Sequence, residues 1–232
     1  MLPIGDDDSD RRFAPFINYL LIAINILVFV FLQGMGGNEK FTYAFSTVPA
    51  EILTGKDIAT GVLEPTPISV YLTLITSMFM HGGWAHLLGN MLFLWIFGDN
   101  IENRIGHLRY LIFYLVCGII ASLSHVFVSG SSSLIPSLGA SGAISGVLGG
   151  YLLLFPSRRV RVIMGRGITE VPAFVALGIW IVFQIISGLG MLGGDKTGGG
   201  VAYAAHIGGF IAGLLLIKLF DIGGTKGMVL NR

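Results

Sequence analysis

The sequence predicts an all-α membrane protein, a bundle of six transmembrane helices, and three observations predict it. Charge is scarce: 12% of the 232 residues are Asp, Glu, Lys or Arg and 53% are hydrophobic, where soluble domains carry about 25% charged residues. The charges are also missing in blocks. Five charge-free windows, 13–38, 65–98, 110–157, 171–194 and 197–217, together hold 153 residues. A bilayer span needs roughly 20 mainly apolar residues, so four windows hold one helix each, and the longest holds two around its polar centre at 130–137. Finally, the 14 Lys and Arg residues sort by side. With the N-terminus inside, eleven fall inside and only Lys40, Lys56 and Lys196 outside, the bias that orients membrane proteins.

These numbers exclude several classes. No water-soluble core of this size uses so many long uncharged stretches. A transmembrane β-barrel would alternate lipid-facing and lumen-facing residues over about 10 positions instead of running continuously apolar. A net charge of +1 offers nucleic acid no electrostatic footprint. The lone cysteine, Cys117, rules out an internal disulfide and a multi-cysteine metal site, and reads as a small apolar packing residue.

Taken in order, residues 1–14 form an acidic cytoplasmic segment without a basic leader pattern, so 15–33 reads as a retained first helix. The connection 34–83 is too long for a turn. It carries Pro49, Pro65, Pro67 and the apolar run 70–80, which suit a segment lying in or on the outer interface. The remaining spans are expected at 84–101, 108–128, 141–155, 171–190 and 203–221, with 222–232 as a cytoplasmic tail. The six-helix domain thus covers 15–221, in a prokaryotic-type cytoplasmic (inner) membrane with both termini cytoplasmic.

Polar side chains at membrane depth are costly and by default face the bundle interior as functional groups. Four stand out: His86, Asn90, Ser141 and His206. His86 and Asn90 are four apart in HLLGN, hence on one helix face. Ser141 opens GASGAISGVLGG, with Gly142, Gly146 and Gly150 at four-residue spacing, and His206 is followed by Gly209 and Gly213. Two glycine-faced helices pack backbone to backbone, which brings Ser141 and His206 within reach of each other. A serine at a helix N-terminus also has free backbone N–H groups for a developing oxyanion. Taken alone, each group has a simpler reading as packing or interhelical glue. Two histidines and an amide able to face one serine do not. His81, His107 and His125 fall near span ends and read as interfacial. There is no HExxH, and His81 and His86 lie about 140° apart on a helix, so neither metal nor cofactor is expected.

At these residues the chain resembles the rhomboid intramembrane serine proteases. HGGWAHLLGNMLFLWIFGDNIENRIGH is similar to the family's second helix, GASGAISG to its nucleophile motif and AHIGGFIAG to its sixth-helix motif. The resemblance implies Ser141 as nucleophile, His206 as general base and then acid, and His86, Asn90 and the Ser141 N–H as oxyanion donors. It also implies a rhomboid-like six-helix bundle with a partly membrane-embedded first loop, and a structural charged pair, Glu102 and Arg104. Implied substrates are transmembrane helices of other proteins, cut near their outer ends, with membrane lipids as surroundings and no nucleic acid partner. Trp180 and Phe183 on the fifth span read either as packing aromatics or as a gate for such a helix. Ser145 stands where some members carry an aromatic on the catalytic histidine; its hydroxyl either bonds back to the Ser141 carbonyl or reaches His206. The alternative reading is an inactive rhomboid-like protein that binds transmembrane clients; such proteins usually lose the serine or the histidine. A transporter would show inverted repeats, and none is found.

Overall fold

A computed structural model describes residues 1–60, 63–192 and 202–222. The expected outer loop around Lys196 and the expected tail beyond Ile222 lie outside the described residues. The chain is mostly helical. Strand β1 (Leu2–Asp6) precedes α1 (Phe16–Leu27), which continues through a wide turn at Val28–Leu32. The first loop holds α2 (Glu39–Ala44), α3 (Pro49–Thr54) and α4 (Thr73–Thr76). Then come α5 (Trp84–Ile105), α6 (His107–Ser129), α7 (Ser141–Leu154), strands β2 (Arg159–Met164) and β3 (Gly167–Pro172), α8 (Ala173–Leu192) and α9 (Tyr203–Phe220).

Among the described residues three helices are long and apolar enough to cross a membrane: α6, α8 over Ala173–Gly190, and α9. The apolar stretch Phe16–Leu32 and α7 are shorter, and α5 carries Asp99, Glu102 and Arg104 in its last two turns. α7 runs up the middle of the bundle. Gly142 through Tyr151 form an unbroken buried run, which lies against α9, α6 and α5.

The all-α expectation needs correcting. β1, β2 and β3 form an antiparallel sheet in that order at the end of the molecule away from Ser141. Counting charge-free windows cannot see it, because its signal has period two. In RVRVIM, Val160 and Val162 are fully buried while Arg159 and Arg161 point outward. The sheet joins the N-terminal segment to the basic α7–α8 connection, so both lie at one end. Arg11 bonds Asp8 and Asp99, Arg158 bonds Asp10 and Asn100, and Asn100 also reaches Asp6, to which Tyr151 of α7 donates its hydroxyl.

Glu102 and Arg104 do not pair with each other. The buried Glu102 carboxylate accepts the backbone N–H groups of Ile17 (2.9 Å) and Asn18 (2.7 Å) and also bonds His107. It thereby satisfies donors that the start of α1 leaves without intrahelical partners. Arg104 grips Asp221 beyond α9 with two parallel bonds of 2.8 and 2.9 Å. Each charge ties α5 to a different helix.

The first loop fixes the approach to Ser141. Thr47 and Ser137 exchange backbone hydrogen bonds (3.0 and 2.8 Å), Ala50 N–H donates to Ser133, and Gly139 N–H donates to Ser77. The run 70–80, expected at the interface, folds into short helical turns with Val70 and Met78 buried and Tyr71 and Leu72 exposed.

Candidate active site

The glycines of α7 and α9 set the site. A Cβ placed on Gly209 would lie 2.1 Å from the Gly142 carbonyl oxygen, and one on Gly213 would lie 1.9 Å from that of Gly146. Only bare backbone permits this contact. The third approach is made by Gly149 against the Phe210 carbonyl, while Gly150 faces the side chains of Phe113 and Ile217. This backbone seam puts the first residue of α7 beside the first turn of α9. Ser141 Oγ lies 2.8 Å from His206 Nε2.

On the other side of the imidazole, Nδ1 lies 2.7 Å from Oε1 of Gln184 on α8. The Trp180 ring sits 6.0 Å from that of His206 and 6.1 Å from that of Phe210. Phe183 is 62% exposed, so the two aromatics do not act as one unit. Ser145 takes the back-bonding option: its hydroxyl donates to the Ser141 carbonyl at 2.6 Å and does not reach His206.

α5 supplies the opposite wall. The backbone N–H of Gly82 donates to His86 Nδ1 at 3.3 Å, which leaves Nε2 as the protonated, donating nitrogen. The ring edge lies against Gly139: a Cβ there would come within 2.7 Å of His86 Cε1 and Nε2, and the residue has φ +123°, a conformation that favours glycine. Asn90 Nδ2 is 3.0 Å from His81 Nε2.

His81 is enclosed by protein. It is 1% exposed, and Gln33 clamps its backbone, accepting its N–H and donating to its carbonyl, both at 2.9 Å. Burial first, and His86 second, hold the His81 imidazole down to about 3, so it stays neutral. A neutral ring accepts one Asn90 N–H and leaves the second amide hydrogen free. His107 bonds Glu102 at the far end, and His125 lies beside Ser129 on the cavity wall.

Between these walls is a cavity of about 740 Å³. His86, Asn90, Ser141, His206, His125 and Ser137 contribute to its lining, and no carboxylate does among the described residues. The structure thus brings all four sequence-identified residues to one space. Sequence reasoning missed Gln184 and the contact between His81 and Asn90. A signal existed for Gln184, the only side-chain amide in window 171–194 and four residues, one turn, after Trp180. Away from the cavity, Asp6, Asp8 and Asp99 bring oxygens within 4.8 Å of one another, but Arg11, Asn100 and Tyr151 already engage them.

The fold and site define a polytopic helical protein with a serine–histidine pair facing an internal cavity. A family model described as the rhomboid domain matches residues 69–221. The chain is 33% identical over 202 residues to the rhomboid protease GluP of Bacillus subtilis, covering 86% of this chain and 34% of that protein. It is 30% identical over 200 residues to the mitochondrial Rhomboid protein 1 of Saccharomyces cerevisiae, covering 85% and 51%. Similarity to the mouse mitochondrial presenilin-associated rhomboid-like protein is 32% over 145 residues, covering 62% and 37%. The chain belongs to the rhomboid family, and spans about a third to a half of these relatives' lengths.

Proposed function

We propose that the chain is an intramembrane serine endopeptidase that cuts transmembrane helices of other membrane proteins near their outer ends. The observation that carries the reading is the 2.8 Å contact between Ser141 Oγ and His206 Nε2, open to a cavity that His86 and Asn90 also line. In the proposed reaction His206 Nε2 takes the hydroxyl proton as Ser141 Oγ attacks the peptide carbonyl. The oxyanion collects bonds from His86 Nε2–H, the free Asn90 N–H and the backbone N–H of Ser141. His206 then protonates the leaving amine, and water, deprotonated by the same nitrogen, releases the acyl group. No metal or cofactor enters this scheme.

The proposed membrane domain covers 15–221, flanked by cytoplasmic 1–14 and 222–232, with α1, α5, α6, α7, α8 and α9 as six spans and the first loop partly embedded. Location in a prokaryotic cytoplasmic membrane is part of the same proposal. The common end that holds the N-terminal strand, Arg104 and Arg158 supports placing these segments on one side. A cysteine at Ser132 should then react with an impermeant thiol reagent in intact cells, and one at Ser157 should not; the reverse pattern inverts the topology.

The activity itself is tested with the protein in proteoliposomes and a transmembrane substrate. Time-dependent cleavage that disappears in Ser141→Ala supports the protease. Binding of the substrate without cleavage by the unaltered protein supports instead an inactive, client-binding member.

A further inference from the structure

We propose that Gln184 is a positioning residue for His206, holding the imidazole in the one tautomer that can act as a base; this rests on the protease reading above. A neutral imidazole has one N–H and one lone pair, and which nitrogen carries which is set by its hydrogen bonds. A serine base needs the lone pair on the nitrogen facing the hydroxyl. In serine proteases of the triad type a buried carboxylate accepts the other N–H and so fixes that choice. Here no carboxylate lines the cavity among the described residues, and Ser145 spends its hydroxyl on the Ser141 carbonyl.

Gln184 fills the position. Its Oε1 lies 2.7 Å from His206 Nδ1, opposite Ser141 across the ring. Accepting Nδ1–H leaves the lone pair on Nε2, 2.8 Å from the Ser141 hydroxyl. The amide is 7% exposed although Val182, Phe183, Ile185 and Ile186 around it are exposed. It is thus turned inward on a helix that otherwise presents apolar side chains outward. Trp180, one turn earlier on the same face, packs beside the same ring and limits its rotation.

A neutral acceptor differs from a carboxylate in one testable way. It selects the tautomer but gives the imidazolium formed during catalysis only a dipole instead of a full charge. Replacing it with glutamate should keep the tautomer and make His206 more basic, whereas a methionine of similar shape removes the acceptor. Other titratable groups near the ring are Ser141 on α7, His86 on α5, His125 on α6 and Tyr203 on α9, and all stay in place in both variants.

The test uses the full chain in proteoliposomes with 15N-labelled histidine, assigned by comparison with His206→Ala. In the unaltered protein Nδ1 of His206 should resonate as protonated and Nε2 as unprotonated; in Gln184→Met the two forms should mix. Turnover of a transmembrane substrate should fall about tenfold in Gln184→Met with KM little changed, the scale of one lost neutral hydrogen bond at the base. Gln184→Glu should keep turnover, with the acid limb of its pH profile moved to higher pH, because a more basic His206 stays protonated further up. A purely structural glutamine would lower thermal stability in both variants and move neither the tautomer nor the pH profile. That result overturns the proposal, as does an Nε2-protonated ring in the unaltered protein. If Gln184→Met does not fold, the pH profile of Gln184→Glu decides alone. The tautomer is read without substrate, so an unaltered protein that holds it yet cuts nothing refutes the protease reading and leaves the positioning role standing.

Discussion

Helices α7 and α8 both reach the Ser141–His206 pair, yet they are packed in opposite ways. α7 is buried from Gly142 to Tyr151 and meets α9 backbone to backbone at Gly142, Gly146 and Gly149. α8 leaves Phe174, Ile179, Val182, Phe183, Ile186 and Leu189 more than half exposed and buries a stripe of Ala173, Ala176, Leu177 and Gln184. Ser141 thus opens the helix with the longest unbroken buried run, and the glutamine that contacts His206 sits on one whose outward face is largely exposed. Length sharpens the contrast. Fourteen residues rise about 21 Å, short of a hydrocarbon core of about 30 Å. On the proposed six-span reading, a helix that begins at Ser141 leaves space beyond its first turn, where the cavity lies.

The largest effect should come from the seam. Gly213→Val forces side-chain atoms into the Gly146 backbone, and no rotamer of a flexible neighbour can relieve a clash with a carbonyl. Overpacking of this kind costs about 1–3 kcal/mol or more, so thermal unfolding should drop by many degrees and cleavage should vanish with the fold. Phe183→Ala on α8, by contrast, should leave the melting temperature nearly unchanged. A gate at Phe183 would show as faster cleavage of a transmembrane substrate with a small soluble peptide unaffected. Equal tolerance at Gly213 and Phe183 would break the comparison.

Next in size are the proposed oxyanion donors on α5, His86 and Asn90. Asn90→Ala should lower turnover about 100-fold, the usual cost of one donor, with a smaller effect on substrate binding, and His86→Ala should match or exceed it. If both variants turn over at the unaltered rate, α5 does not serve the reaction.

At the other end of α7 the effect is one of stability and depends on pH. Burial first, then the nearby Asp99 and Asp8 carboxylates, raise the Asp6 carboxyl to about 7, against the hydrogen bond from Tyr151 and the charge of Arg158. The folded state therefore holds a proton that the unfolded chain releases near pH 4, and the docked strand weakens as pH rises toward and through 7. Protection factors for β1 amides, with the intrinsic pH dependence of exchange divided out, should be higher at pH 5.5 than at pH 8, and Asp6→Asn should flatten that difference. An identical difference in the variant would remove Asp6 as its source.

The smallest effect should be at Ser145. Its hydroxyl serves only the Ser141 carbonyl, so Ser145→Ala should turn over within about twofold of the unaltered protein across the pH range. A larger loss would mean that the hydroxyl reaches His206 during turnover.

Much of this arrangement was legible in the sequence because it rests on periodicity. Window counting located α5, α6, α7, α8 and α9 to within a few residues, and four-residue glycine spacing announced the seam between Gly142, Gly146, Gly209 and Gly213. The placement of His86 and Asn90 on one face followed from helix geometry alone. What escaped depends on contacts between distant segments. The sheet needs residues 2–6 to meet residues 159–164, and the burial of His81 needs Gln33, 48 positions earlier, to clamp its backbone. Glu102 and Arg104 are two residues apart, yet the bonds from Asn18 to Glu102 and from Arg104 to Asp221 span 84 and 117 residues. Gln184 had a local signal, an amide in an apolar helix, but its partner could be read only from the fold.

The central claim is that Ser141 is a nucleophile made so by His206. It is tested most directly by exposing the protein in proteoliposomes to a fluorophosphonate and locating the adduct by mass spectrometry. The account predicts a single adduct on Ser141 that is lost in His206→Ala although that variant still folds, and cleavage activity that falls in step with labelling. An adduct on another serine, or undiminished labelling of Ser141 without His206, would contradict it.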